Sequence, residues 1–273
     1  MIAFSQPEKK KDVNLNSRPV ALGARLKQYP SIQTLGFKPN FQDYSNQEKN
    51  LILGAKKIYY PTAFYADLFN AMGKETFPSF HTYKFAMDKI KQTAVFNMLG
   101  IPHPETKIFY GKKQKKTILS FFAFPFIAKK AKGSAKGNDV YLIQNTEDLF
   151  RYLTNKGPAY IQQYFPIERD MRVIIIGKKI RLAYWRIAAK DNFKTNISQG
   201  GTISFNPLPQ KALDLAQRAA LKCGWDDVGI DIIEHQNQFY VLEANMKYGT
   251  KGFQKAGINY KEMMANLILE GKI

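Results

Sequence analysis

Val228-Gly229-Ile230-Asp231-Ile232-Ile233-Glu234-His235-Gln236-Asn237-Gln238-Phe239-Tyr240-Val241-Leu242-Glu243-Ala244-Asn245 reads as two strands, Val228–Glu234 and Gln238–Asn245, folded back on each other. Residues two apart on a strand share a face, so Glu243 and Asn245 point the same way. Folding about His235–Gln238 sets Asp231 across from Leu242 or Glu243, depending on register. Like charges facing each other in a sheet are destabilising, and the neighbours Ile230, Ile232, Ile233, Val241 and Leu242 are apolar. The pair therefore needs either a compensating cation or a place on the sheet's solvent face. Two carboxylates and an amide oxygen, with no thiolate or imidazole among them, suit a hard oxygen-seeking ion, most simply Mg²⁺.

Working upstream, Met171–Ile176 and Ile180–Arg186 form another hairpin, turned at Gly177-Lys178. It carries Arg172 and Arg186 among apolar neighbours, where an unpaired buried guanidinium would be costly. Their partner is either a structural carboxylate, such as Asp170 or Glu168, or a phosphate or substrate carboxylate. Before that hairpin, Gln162-Gln163-Tyr164-Phe165 closes a strand with free amide groups, and an edge strand would read the same way. Further back, Lys129 and Lys130 lead into Gly133-Ser134-Ala135-Lys136-Gly137-Asn138-Asp139, between strands Pro125–Lys130 and Val140–Ile143. Small residues let backbone N–H groups approach phosphate oxygens and lysines neutralise them, though an ordinary hairpin turn fits equally. The loop is not a Walker motif, because the Gly-Lys-Ser/Thr ending and the following helix are missing.

The rest of the chain alternates. Strands are expected at Ser31–Phe37, Lys57–Tyr60, Glu105–Tyr110 and Tyr160–Phe165. Helices are expected at Gln47–Ala55, Ala63–Met72, Tyr83–Leu99, Lys116–Phe122, Thr146–Thr154, Ala212–Cys223 and Lys261–Leu269. Residues 1–27 are polar and basic and read as an arm. This is an α+β pattern with antiparallel sheets in the second half. Among 273 residues, 41 Lys+Arg against 22 Asp+Glu leave a net charge of +19, which favours polyanionic partners or simply solvates the surface. A 45% hydrophobic fraction with 20 Phe and 15 Tyr excludes global disorder. The single Cys223 rules out an internal disulfide, and His81, His103 and His235 lack zinc-ligand spacing. No apolar run approaches the ~20 residues that span a bilayer, and the N-terminus lacks the apolar stretch of a signal peptide. A soluble, cytoplasmic protein with no membrane partner is expected.

The order of these pieces resembles the ATP-grasp superfamily, and within it the RimK-type amino-acid ligases. The resemblance runs from about Lys89 to Gly257, through Asp88-Lys89-Ile90, Gly100-Ile101-Pro102-His103-Pro104-Glu105-Thr106, Phe126-Ile127-Ala128-Lys129 with its glycine-rich loop, and Ile161-Gln162-Gln163-Tyr164. It continues through Arg169-Asp170-Met171-Arg172-Val173, Asn196–Gly201, Gly229-Ile230-Asp231-Ile232, Leu242-Glu243-Ala244-Asn245 and Gly249-Thr250-Lys251-Gly252. It implies an α+β ATP-grasp fold with a basic arm at 1–27, a short α/β N-terminal domain at 28–80, a central lid subdomain at 81–160 and a C-terminal antiparallel-sheet subdomain at 161–273.

The resemblance also implies roles. Lys89 and Lys129 contact ATP phosphates, and Gly133, Ser134, Lys136 and Gly137 form a flap over them. Gln162, Gln163 and Tyr164 border the adenine, with Asp170 near the ribose. Asp231, Glu243 and Asn245 hold Mg²⁺, one ion or two bridged by Glu243, with Mn²⁺ as the substitute. Arg186, Lys194 and Asn196 lie by the transferred phosphate and Arg172 near the acceptor end, so that Arg186, Arg172 and Asn196 form the catalytic set. Two positions depart from the family pattern: Gln199 stands where a basic residue is frequent, and Lys136 where glycine is.

The activity implied is an ATP-dependent carboxylate–amine ligase working through an acylphosphate, adding glutamate or a similar amino acid to a protein or small acceptor. Its partners would be ATP, an acidic amino acid or other carboxylate, and an unidentified amine acceptor, which an acidic protein would suit; a homo-oligomer is compatible with the sequence. Two alternatives compete. One is a nucleic-acid-associated protein that keeps the scaffold, motivated by the basic clusters Lys9–Lys11, Lys112–Lys116 and Lys129–Lys136. The other is a phosphotransferase that stops at the phosphorylated product.

Overall fold

A computed structural model describes residues 18–85, 88–130, 140–189 and 200–273. Gly133, Ser134, Lys136, Gly137, Lys194, Asn196 and Gln199 therefore lie outside the described residues, as does the first part of the arm. The chain divides into two units, one formed by the residues up to Phe77 with Lys261–Lys272, the other by Pro78–Tyr260 with Ile273. Among the described residues no helix is long and apolar enough to cross a membrane.

The first unit is a parallel sheet with two crossover helices. Its elements are β1 (Val20–Ala21), β2 (Gln33–Thr34), α1 (Asn46–Gly54), β3 (Lys57–Tyr59), α2 (Thr62–Ala71) and β4 (Glu75–Phe77), in the order β2-β1-β3-β4. Ser45 and Glu48 close a capping box at the start of α1. The stretch read as an arm thus contributes a central strand: Val20 and Ala21 are buried and pair with both β2 and β3. Strands of two and three residues are too short to show a period, which is why β1 and β4 escape a pattern-based reading, the strand expected at Ser31–Phe37 shrinks to Gln33–Thr34, and β3 stops one residue short of Tyr60.

The second unit holds two antiparallel sheets. Its first part runs α3 (Phe80–Phe85), α4 (Lys89–Leu99), β5 (Thr106–Phe109), α5 (Gly111–Lys115), β6 (Phe126–Lys130), β7 (Val140–Ile143), α6 (Thr146–Leu153) and β8 (Ala159–Gln163). The helix expected over Tyr83–Leu99 is two helices, α4 starting afresh at Asp88, whose carboxylate accepts the Lys91 N–H. The helix expected over Lys116–Phe122 is replaced by α5 and a turn of 3₁₀ helix at Ile118–Ser120. The four strands order as β5-β8-β6-β7. One face packs Phe126, Ala128, Ala159 and Ile161 against Leu149 and Tyr152 of α6. By strand alternation the opposite face carries Lys129, Tyr160 and Gln162.

The second part runs β9 (Arg169–Ile176), β10 (Lys179–Ile187), β11 (Thr202–Ser204), α7 (Gln210–Cys223), β12 (Asp227–His235), β13 (Gln238–Asn245) and α8 (Lys251–Lys255); α9 (Tyr260–Leu269) belongs, from Lys261 on, to the first unit. The strands form one antiparallel sheet, β11-β10-β9-β12-β13. Met171, Val173, Ile175, Ile230, Ile232, Val241 and Ala244 bury one face against α7 and Phe96 of α4. The buried residues of α7 are Ala212, Leu215, Ala216, Ala219, Ala220 and Cys223; the four alanines let its backbone approach the sheet closely. Cys223 is a core residue whose thiol burial pushes up to about 12.

Candidate active site

The other face of the five-stranded sheet is where the polar residues collect, and a single irregularity puts them there. The β12–β13 hairpin turns through Gln236 and Asn237, both left-handed (φ 49° and 61°), as a two-residue turn requires. Pairing starts at His235 with Gln238 and continues to Ile232 with Val241; one residue is then absorbed, so that Asp231 pairs with Glu243, not with Leu242. This bulge resolves the register left open by the sequence. Without it, Glu243 would follow Val241 onto the core face; with it, Ala244 enters the core and Glu243 and Asn245 turn to the polar face.

Neighbouring strands complete that face in register: Arg172 pairs with Asp231, Arg186 with Asp170, and Tyr184 with Arg172. All four charged groups are buried. Arg172 grips both oxygens of Asp231 through Nε and Nη2 and donates from Nη1 to the Tyr248 carbonyl at 3.2 Å. Arg186 grips both oxygens of Asp170 and reaches Asp231 Oδ2 from Nη2 at 2.9 Å. These forks engage the Nε and Nη2 edge of each guanidinium, the bidentate geometry that suits a buried arginine. Burial opposes the Arg186 charge, but Asp170 and Asp231 outweigh it and raise its pKa. Burial raises the Asp231 carboxyl against the opposing pull of Arg172 and Arg186. Gly229 lies beside this cluster because a Cβ there would run into the Tyr248 side chain and Arg172 Cδ.

Glu243 faces different company. Lys89 Nζ approaches its Oε2 at 3.4 Å and Asn245 donates from Nδ2 to its Oε1 at 2.7 Å. Burial alone would raise the carboxyl, but Lys89 and Lys129, then Asn245 and Arg172, bring it down to about 2, so it is ionised across the physiological range. Lys129 lies 5.7 Å over the Tyr160 ring; burial pushes its ammonium down to about 8, with Glu243 opposing and Lys89 reinforcing the drop. Tyr160 itself donates to or accepts from Thr93 Oγ1 at 2.8 Å.

Helix α4 places much of this through one face. Lys89, Gln92, Thr93 and Phe96 recur at the i, i+3, i+4, i+7 spacing. Gln92, which sequence reasoning missed, clamps the bulged strand: its Nε2 donates to the Ala244 carbonyl at 2.7 Å and its Oε1 accepts the Ala244 N–H at 2.9 Å. The only advance signal is that three polar residues share the helix face that also carries Phe96.

The structure therefore brings together Lys89, Lys129, Asp170, Arg172, Arg186, Asp231, Glu243 and Asn245. Gln162 is also buried, with Nε2 on Thr106 Oγ1 at 2.9 Å, while Gln163 is exposed and Tyr164 half-buried at the end of β8. His103 donates from Nδ1 to the Ile101 carbonyl, and His235 stacks on Phe165; neither stands in this group. Four cations against three carboxylates leave an excess of 4 − 3 = +1, suited to an anion. Among the described residues no three His, Cys, Asp or Glu side chains form a metal cluster. A carboxylate held ionised beside an amide fits a hard cation better than a transition metal.

A RimK-like ATP-grasp domain matches residues 86–268. The chain belongs to the RimK-like ATP-grasp family. Its matched relatives in that family are named as ligases or synthases. The coenzyme gamma-F420-2:alpha-L-glutamate ligase of Methanococcus maripaludis is 28% identical over 199 residues, covering 68% of this chain and 67% of that protein. The ribosomal protein bS6–L-glutamate ligase of Salmonella paratyphi B is 26% identical over 179 residues, covering 62% of this chain and 59% of that one. The fold agrees: a RimK domain ATP-grasp protein of Sphaerobacter thermophilus superposes with a TM-score of 0.67 at 15% identity, over 92% of this chain and 98% of the other. By family the chain is an ATP-grasp ligase.

Proposed function

We propose that the chain is an ATP-dependent carboxylate–amine ligase that joins an acidic amino acid, glutamate or one similar, to an amine through an acylphosphate. The observation that carries this reading is the face of the five-stranded sheet on which Glu243 and Asn245 stand next to two lysines and two interlocked Arg–Asp pairs. In this reading a substrate carboxylate attacks the γ-phosphate of ATP, ADP leaves, and the amine then displaces phosphate to form the amide. Such phosphoryl transfer needs in-line positioning and charge neutralisation more than covalent catalysis, which fits a face with no nucleophilic thiol or hydroxyl in this group.

Lys89 and Lys129 neutralise phosphate oxygens. The low pKa of Lys129, about 8, reflects a buried ammonium that an arriving phosphate would hold protonated. Glu243 and Asn245, with Asp231 across the strand pair, would hold Mg²⁺, which would supply positive charge to offset that of the phosphates. Asp231 shares its oxygens with Arg172 and Arg186, whose charges oppose the upward push that burial gives its carboxyl. Gln162 and the Gln163–Tyr164 strand end would border the base. Residues 28–80, 81–160 and 161–273 are proposed to serve as N-terminal domain, lid and C-terminal subdomain, with β1 at Val20–Ala21 belonging to the first of these rather than to an arm.

The test is Mg²⁺-dependent ADP release with amino acids and candidate acceptors present. Glu243→Ala is expected to abolish turnover while circular dichroism remains that of the parent. Normal turnover in that variant would remove the metal assignment, and with it the mechanism.

A further inference from the structure

One basic cluster has no part in the site above. Lys112, Lys113, Lys115 and Lys116 lie on and just after α5, at the end of the lid sheet where β6 finishes and β8 begins. There Lys115, Lys130 and Lys156 rim a cavity of about 230 Å³ whose floor is Tyr152, Leu153 and Pro158. Lys130 follows Lys129 on β6, so the two side chains leave opposite faces of the strand. The cavity thus opens on the face turned away from Lys129, Tyr160 and Gln162. Among the described residues no Asp or Glu lines it, and none of these lysines has an ion-pair partner.

Size and charge together select an occupant. Pockets for whole small ligands run to roughly 300–1,000 Å³, so this cavity holds a side chain better than a nucleotide. Its floor is apolar, while Lys112, Lys113 and Lys116 extend the positive surface beyond the rim. Asn155, the one amide among the described lining residues, already donates to the Tyr152 carbonyl at 2.8 Å, which leaves little there to read a base edge. We propose that this cavity is a docking site for an acidic polypeptide, which seats one apolar side chain on Tyr152, Leu153 and Pro158 and lays its flanking carboxylates on the surrounding lysines. The site is independent of the ligase reading, because it requires only binding.

The test is fluorescence anisotropy on the full chain, with a fluorescein-labelled peptide of glutamates around one central phenylalanine. Binding is expected at low salt and should weaken as salt rises. Lys115→Glu with Lys156→Glu should weaken it roughly tenfold or more, as removal of opposed charges at an interface does. Lys56→Glu with Lys211→Glu, an equal change of net charge at exposed lysines elsewhere, should leave it nearly unchanged. Replacing the peptide's phenylalanine by serine should also cost roughly tenfold, the loss of one buried aromatic side chain. Binding of a fluorescent ATP analogue should be the same in both double variants and the parent, which also shows that they fold. No peptide binding at low salt, equal losses in the two double variants, or indifference to the phenylalanine would each overturn the proposal. So would an RNA oligonucleotide that binds more tightly than the peptide and loses its affinity in the Lys115→Glu, Lys156→Glu variant.

Discussion

Gln92→Met removes the clamp on β13 while keeping the length and burial of the side chain. In the parent, the Gln92 amide meets both backbone groups of Ala244, at 2.7 and 2.9 Å, with the side chain 3% exposed. Methionine leaves that N–H and C=O buried with nothing to bond. Each such group costs about 1–3 kcal/mol, and part of the loss is recovered by the apolar replacement, so the pair should cost about 3 kcal/mol. For a unit of this size each kcal/mol lowers Tm by roughly 2–4 °C, giving a drop of about 6–12 °C by calorimetry or dye-monitored melting. Because Ala244 sits between Glu243 and Asn245, the loss should also appear as a raised Mg²⁺ requirement for ATP turnover. Gln92→Glu, which keeps an acceptor for the Ala244 N–H but opposes the carbonyl, should fall between or below. A Gln92→Met melting temperature within about 1 °C of the parent would refute the claim that this side chain holds the bulged strand in place.

Further outcomes follow from the charges and the packing. Burial sets the Lys129 ammonium at about 8, below its ordinary 10.5, so it loses its proton as pH rises through about 8; the KM for ATP should climb above that pH, and Lys129→Arg should flatten the profile. Glu243 is depressed from 4.5 to about 2, so its ionised form stabilises the fold fully above about pH 4.5 and loses that contribution as pH falls toward 2; the melting difference between the parent and Glu243→Gln should therefore be largest near neutrality and shrink over that interval. Gly229→Ala drives a Cβ into the Tyr248 side chain and Arg172 Cδ, and overpacking of this kind costs about 1–3 kcal/mol or more, measurable as a lowered Tm and reduced soluble yield.

Much of the C-terminal sheet could be read directly from its residues, since long apolar-rich strands, buried almost throughout in β9 and β12, and two short turns leave little choice. The Asp231–Glu243 facing pair was legible as a dilemma of register, and the bulge that settles it was not: a single absorbed residue leaves the apolar run Phe239–Leu242 looking unbroken. The arginines were readable as groups needing anions, but only the fold shows Arg172 forking onto Asp231 and Arg186 spanning Asp170 and Asp231. Gln92 went unread because a buried amide on a helix has no sequence signature until its strand partner is known. In the first unit the strands are two or three residues long, held by neighbours rather than by their own pattern, so β1 passed for part of an arm.

In the proposed function this sheet face couples ATP cleavage to amide formation. The measurement that reaches it most directly is mass analysis of the products formed from ATP, Mg²⁺, an amino-acid panel and candidate acceptors, with ADP counted in the same reactions. The expected product is an acceptor heavier by one amino-acid residue, formed in step with ADP and absent with Glu243→Ala. ADP formed alongside an accumulating phosphorylated acid, with no amide at any acceptor concentration, would contradict it.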